Sequence, residues 1–384
     1  MKKMLVNIVN LNPEGIQIIW LIKMKKWEEL GYEVSIQTGL FIKRLSFQGK
    51  DVYAFNAEFQ ELRDLPALRF SKLRYIWYAL KRNILVFQEY GEVKRGRYDV
   101  FYTLTSVLEF LLFPYFYRLL NQNVKWITVF DNTVPLQGPG NKAIRLLAWV
   151  FFQISIALLR KADLIYAITP DLKQYLVSRG FDEKKVIVTG CAVEGGRIRN
   201  AATEEKYMFD ALFMGRINEK KGIYDMLKSL KLVKKERPNF KLAIMGGGDE
   251  PTVKVYKGRI KEMQLEENIE FLGYKAGPEK FAIIKSSKLF WFFSCDESFG
   301  VALLEAVCSG KPALVYDLPP FRYLYQNNEV IRMKNQDYPS IARKTIELLQ
   351  SGALENEAGK KLLERFSWDN IVEKEFQALN SPTP

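Results

Sequence analysis

Histidine is absent from the 384-residue sequence. A Ser-His-Asp triad, a Cys-His pair, a His-ligated zinc site and an imidazole general base are therefore all excluded. Cysteine is scarce, with Cys191, Cys295 and Cys308 widely spaced, which argues against a disulfide framework or a zinc ribbon and suits a reducing cytoplasm. No Asp-any-Asp triplet occurs, so the usual carboxylate clamp for a divalent ion on a nucleotide sugar is missing. Long apolar runs are also wanting. The most apolar stretch, 146–159, has 14 residues, against the roughly 18 or more that a spanning helix needs, and no transmembrane segment is expected. A buried helix is the first expectation for it and an interfacial helix the second, because Arg145, Arg160 and Lys161 flank it. Segment 110–120 has the same character. The N-terminal MKKMLVNIVN reads as a first strand rather than a signal peptide, since polar Asn7 and Asn10 interrupt a short apolar run.

Basic residues outnumber acidic ones by 57 to 44, a net charge of +13. Residues 1–190 hold 27 basic and 17 acidic residues (+10), leaving 30 and 27 (+3) for 191–384. The basic N-terminal half would attract an anionic surface or a phosphorylated substrate. Nucleic acid is not expected, because no recognition helix or aromatic motif accompanies the charge.

Short apolar runs alternate with longer stretches of helical period along the whole chain. The runs 4–9, 34–38, 100–104, 125–129, 164–168 and 186–189 predict one parallel sheet. The runs 211–214, 241–245, 269–272, 289–293, 313–316 and 330–333 predict a second. The fold class is therefore α/β, with two doubly wound Rossmann-like parallel-sheet domains at 1–195 and 206–365. The glycine-bearing polar segment 194–206 reads as the linker, and 366–384 as a C-terminal helix able to pack on either domain.

Open parallel sheets bind ligands outside the carboxyl ends of their strands. Three such loops stand out. The first, 12–15 (NPEG), follows the first strand, and Gly15 would allow close backbone approach to an anion; an ordinary strand-to-helix turn would look the same. The second, 215–222 (GRINEKKG), sets Arg216 and Lys221 five residues apart, a planar fork and a point charge that could converge on a diphosphate. The third, 295–310 (CDESFGVALLEAVCSG), separates Glu297 from Glu305 by seven residues, with a helix opening between them. Free amides at Phe299, Gly300 and Val301 would face a diphosphate there. The two carboxylates could accept from hydroxyls of a ribose and of a sugar.

The ordered set FMGRINEKKGIYDML, KLAIMGGGDE, IEFLGY and CDESFGVALLEAVCSGKPALVYD resembles glycosyltransferase family 4, retaining enzymes of the GT-B fold. ADLIYAIT and KVIVTGCAVEGGRI extend the resemblance through the end of the first domain, and NPEG is similar to that family's glycine loop. The resemblance implies two domains facing across a cleft, with the C-terminal helix crossing back to the first. It implies a nucleotide-diphosphate sugar as donor substrate, no cofactor and no metal. By position, Arg216 and Lys221 would hold the diphosphate, Glu305 the ribose and Glu297 the donor sugar. Phe299, Gly300 and Val301 would contribute backbone contacts, Gly15 would approach the donor from the first domain, and Tyr274 would meet the nucleobase.

One position departs from the family. A histidine commonly precedes an aspartate after a middle strand of the first domain, and Phe130 stands there before Asp131. Asp131 is then the catalytic candidate left in that segment. The implied reaction moves a sugar to a hydroxyl acceptor, for which a lipid-linked species or a growing polysaccharide fits a basic first domain with two apolar helices. A cytoplasmic protein docked on the anionic inner face of a membrane is the matching location. The competing reading is a catalytically silent partner of the same fold that binds a membrane or another glycosyltransferase. A dehydrogenase is disfavoured, because Gly246-Gly247-Gly248-Asp249 lacks the third glycine of the dinucleotide fingerprint.

Overall fold

A computed structural model describes residues 1–8, 16–39, 41–52, 54–55, 72–136, 141–352 and 354–381; for 16, 17, 72–76 and 78 it describes the backbone alone. Gly15 lies outside the described residues. The chain divides into two compact units, one of residues 1–190 together with the segment from Ile371 onward, the other of residues 191–370.

The first unit holds a seven-stranded sheet of β1 (Lys2–Asn7), β2 (Tyr32–Gln37), β3 (Ile42–Arg44), β4 (Val100–Thr103), β5 (Lys125–Phe130), β6 (Leu164–Ala167) and β7 (Val186–Val188). Its order is β3-β2-β1-β4-β5-β6-β7, parallel except for β3. The second unit holds β8 (Ala211–Met214), β9 (Leu242–Met245), β10 (Ile269–Gly273), β11 (Leu289–Phe292), β12 (Ala313–Tyr316) and β13 (Ile331–Met333). These six strands are all parallel, in the order β10-β9-β8-β11-β12-β13. Both sheets are doubly wound, as the alternating apolar runs predict. Strand order reverses between β1 and β4 in one and between β8 and β11 in the other, the position at which doubly wound sheets generally take their ligands.

The second core shows why the pattern folds this way. Helix Ile223–Glu236 buries Ile223, Met226, Leu227, Leu230 and Val233, a stripe of helical period. The stripe packs on Phe213, Ile244, Trp291 and Tyr316 from four neighbouring strands. Each such side chain contributes about 1.5–3 kcal/mol on burial. Segment 194–206, which reads as a linker in sequence, lies within the second unit and carries helix Gly195–Asn200. Its backbone carbonyls at Arg199 and Ala201 accept from Lys285 Nζ at 3.2 and 2.9 Å.

In the first unit, helix Trp368–Asn380 is tied to the sheet by a buried network. The Glu375 carboxylate accepts from Lys23 Nζ at 2.6 Å and from the Tyr102 hydroxyl at 2.7 Å, while the Tyr166 hydroxyl donates to the Glu375 carbonyl at 2.8 Å.

Helix Lys142–Leu159 contains the apolar run 146–159 and departs from the buried-helix expectation. Phe152, Ile156 and Leu159 are buried, but Ile144, Leu146, Leu147, Val150, Phe151 and Ile154 are exposed. By length and composition this 18-residue helix could cross a membrane. It packs on helix Leu108–Leu120, which packs on helix Lys72–Gln88. These helices add exposed Phe116, Leu119, Trp77, Leu80 and Ile84, so one side of the unit presents many apolar side chains to solvent.

Candidate functional site

The loops after β8 and β11 flank the switch point of the second sheet, and backbone geometry locks them together. Cys295 N donates to Lys220 O at 2.8 Å. Gly222 has φ +67, and a Cβ there would stand 2.0 Å from the Phe293 carbonyl oxygen, so only glycine lets the loops approach this closely. Lys221 is thereby carried to Glu297, with which it forms an ion pair in a mostly buried setting. Lys220 pairs with Asp296 at 2.6 Å on the exposed side.

Arg216 leaves β8 at the same edge. It is exposed and makes no ion pair or hydrogen bond with the described residues. A cation without an internal partner, beside a lysine already neutralised by Glu297, is a place where an incoming anion gains most and displaces least.

Helix Val301–Cys308 begins after Gly300, whose φ of +79 is a left-handed conformation that glycine tolerates. The first main-chain bond of the helix runs from Leu304 N to Gly300 O, which leaves the amides of Val301, Ala302 and Leu303 without intrahelical acceptors. The helix opens two residues later than the sequence suggests, so the amides it leaves open are those of 301–303 rather than 299–301, and Phe299 is buried with its ring edge-on to Phe366. Its side chain supports the turn.

Glu305 lies on this helix, almost fully buried, and accepts from Lys280 Nζ at 2.6 Å. Lys280 also reaches Glu194 at 3.9 Å, and Glu194 is paired with Arg197 at 3.0 Å. Tyr274 is exposed directly after β10 and lies near enough to this cluster to feel Lys280, Glu305 and Glu194. Its phenol is raised mainly by partial burial, with Lys280 opposing and the two carboxylates adding to the rise. The second unit thus gathers Glu305 and Tyr274 in one cluster and Arg216, Lys221, Glu297 and Gly300 at the switch point.

Lys280 and Glu194 were not legible as site residues. Lys280 stands in an unremarkable GPEK turn, 25 positions from Glu305, and Glu194 in a segment read as linker. A buried carboxylate needs a partner, which is the one signal that could have prompted a search for a lysine.

In the first unit, Asp131 follows β5 and accepts from Thr105 Oγ1 at 3.1 and 3.2 Å and from Ser106 Oγ at 3.3 Å. Burial raises its carboxyl above the usual range, while the bonds from Thr105, its own backbone amide and Ser106 oppose the shift. Phe130 is fully buried. Its ring stacks with Tyr175 at 6.1 Å and Phe152 at 6.4 Å, so an aromatic core contact occupies the position where the family resemblance expects a histidine.

Residues 197–365 match the family described as glycosyl transferases group 1. The chain is 30% identical over 167 residues to a phosphatidyl-myo-inositol mannosyltransferase of Mycobacterium leprae, an alignment covering 42% of this chain and 43% of that one. It spans about half the length, or less, of the curated relatives it matches. Among solved structures, sucrose-phosphate synthase from Thermosynechococcus elongatus aligns with a TM-score of 0.73 at 15% identity, covering 99% of this chain and 98% of that one. Anabaena HepE in complex with UDP-glucose aligns with a TM-score of 0.71 at 16% identity over 100% of both chains. At these identities the structural likeness establishes the fold, two parallel-sheet domains of the GT-B type.

Proposed function

We propose, from the match of residues 197–365 to the group 1 glycosyltransferases, that the chain belongs to that family and transfers a sugar from a nucleoside diphosphate sugar to a hydroxyl acceptor, with retention of anomeric configuration and without a metal ion. The observation that carries the reading is the switch point of the second sheet, where Arg216, unpartnered among the described residues, the Lys221–Glu297 pair and the free amides of helix Val301–Cys308 lie at one edge. The M. leprae relative is named as a mannosyltransferase, and the Anabaena neighbour is described with UDP-glucose.

In this reading the bond from the anomeric carbon to the β-phosphate oxygen breaks as the acceptor oxygen attacks the same face. The acceptor's proton passes to the departing phosphate. Arg216, Lys221 and the helix amides stabilise the charge that grows on the diphosphate, a task that fixed dipoles and cations perform well in a partly dry site. Glu305 accepts from ribose hydroxyls and is held in place by Lys280. Glu297 accepts from the donor sugar, and Tyr274 meets the base. No protein nucleophile is needed, which suits a histidine-free chain.

The first unit receives the acceptor and docks cytoplasmically on an anionic membrane. The +10 balance of residues 1–190 and the exposed apolar side chains of the unit's three helices support this, as basic charge and apolar burial act together at an anionic interface. Phe130 favours the second reading, a silent partner of the same fold. Sugar release or transfer from labelled nucleotide sugars decides between the two; a chain that binds a donor without consuming it with any hydroxyl acceptor is the silent one. Co-sedimentation with phosphatidylglycerol vesicles that weakens as salt rises tests docking, and indifference to lipid charge refutes it.

A further inference from the structure

Lys280 stands where a lysine does little for the fold. It is the fourth residue of helix Gly277–Ser286, close to an N-terminus whose dipole disfavours a cation. Its side chain is 14% exposed and that of its partner Glu305 is 11% exposed. An ion pair so far removed from water seldom stabilises a protein more than apolar side chains of the same volume would. Neither the helix nor the core therefore accounts for an ammonium at this position.

The pair is also only half used. Of the three ammonium N–H bonds, one goes to Glu305 Oε1 at 2.6 Å, and the Phe281 ring lies 4.3 Å from Nζ on another side. Glu194 Oε1, at 3.9 Å, is too far for a hydrogen bond, and the other oxygen of Glu194 pairs with Arg197 Nε at 3.0 Å. Glu279, the neighbour of Lys280, is turned to Tyr207 and Lys275, each at 2.7 Å. At least one Lys280 N–H thus lacks an acceptor among the described residues, and Glu305 engages Lys280 through Oε1 alone, with Oε2 open. An open cationic donor lies beside an open anionic acceptor, and both side chains reach solvent. Tyr274, 54% exposed, presents a flat ring to the same cluster.

We propose that Lys280 is a specificity-determining residue that reads a vicinal diol together with Glu305, so that the donor is a ribonucleotide and sugars linked to a 2′-deoxynucleotide, such as thymidine diphosphate, are refused. Charge selects hydroxyls over a phosphate: Lys280 and Arg197 balance Glu305 and Glu194, which leaves no net attraction for an anion. Two neighbouring hydroxyls fit the pair, one donating to Glu305 Oε2 and the other accepting from Lys280 Nζ. With one hydroxyl missing, a charged group that binding has dried is left without its partner, a larger loss than that of a neutral hydrogen bond. The inference rests on the proposed function and deepens it, adding a lysine contact and a class of nucleotide to the ribose reading of Glu305.

The test is calorimetric titration of the full chain with UDP, GDP and ADP, each beside its 2′-deoxy counterpart. At least one ribonucleotide should bind, and its deoxy form should bind roughly tenfold or more weakly. Lys280→Met should cut that ratio to about threefold or less, by weakening the ribonucleotide far more than the deoxynucleotide. Any general loss of stability acts on both nucleotides and cancels in the ratio. Should Lys280→Met not fold, Lys280→Arg, which keeps a cation for Glu305 but moves the donors, serves with the same expectation of a reduced ratio. Equal affinity of the parent for both forms overturns the inference. So does a variant that weakens both forms by the same factor, because Lys280 then only holds Glu305 in place. A parent that binds nucleotides without discriminating loses this inference alone, whereas a parent that binds no nucleoside diphosphate removes the proposed function and the inference with it.

Discussion

Lys221 and Glu297 pair across the two loops at the switch point of the second sheet, although 76 positions separate them in the chain. The pair is set before any ligand arrives, because Gly222 and the Cys295–Lys220 main-chain bond hold the loops in contact. On the proposed function, an incoming diphosphate would meet Arg216 first and then share Lys221 with Glu297.

Arg216→Ala should weaken nucleoside diphosphate binding by roughly 10- to 100-fold, the range for losing a charge-assisted bidentate contact, and Arg216→Lys should recover only part of it. Calorimetric titration of both variants checks this. Equal affinity of the lysine variant and the parent would mean that charge alone, not the planar fork, serves here.

Lys23 and Glu375 are both buried, so breaking their pair strands a charge. Glu375→Ala should cost about 3–5 kcal/mol in urea unfolding of the first unit. Lys23→Met with Glu375→Leu should cost clearly less than the sum of the single changes, since the two side chains are in contact. The C-terminal helix should lose amide protection in the single variant.

Glu89 makes stability depend on pH. Burial, opposed by hydrogen bonds from Gln37 and Gly39 and by the charge of Arg82, pushes its carboxyl up from 4.5 to about 7. Between these values the folded chain keeps a proton that the unfolded chain has released, so this contribution is present in acid and lost as pH rises towards 7. At about 1.4 kcal/mol per pKa unit the full shift corresponds to about 3.5 kcal/mol, and solvent screening of the partly exposed carboxyl brings the expected loss to on the order of 2–3 kcal/mol. Glu89→Gln should flatten that part of the profile and be more stable than the parent at pH 8, as read by urea midpoints at several pH values. A parallel decline in the variant would assign the slope to other groups.

The fold was legible because each strand is a short apolar run and each intervening helix repeats its apolar residues at helical spacing; helix Ile223–Glu236 shows this in five buried positions. Arg216, Lys221, Glu297 and Glu305 were legible because they lie within loops and a helix that follow strands, where local spacing has geometric meaning. Lys280 and Glu194 were not, since their meaning comes from pairings between distant segments. Asn7 looks in sequence like a polar break in a strand, and only its burial, with no side-chain partner among the described residues, distinguishes it. Helix Lys142–Leu159 misled in the other direction, because its composition suits a core that its exposed side chains do not join.

The central claim is that the second unit holds a nucleoside diphosphate sugar between Arg216, Lys221 and Glu305. Equilibrium titration of the intact protein with UDP-, GDP- and ADP-linked sugars, repeated with Glu305→Ala, tests it most directly. The account predicts saturable binding of at least one donor, weakened by roughly 100-fold or more when the buried Glu305 carboxylate no longer meets the ribose. Failure of the parent to bind any of them, or undiminished binding by the variant, would contradict it.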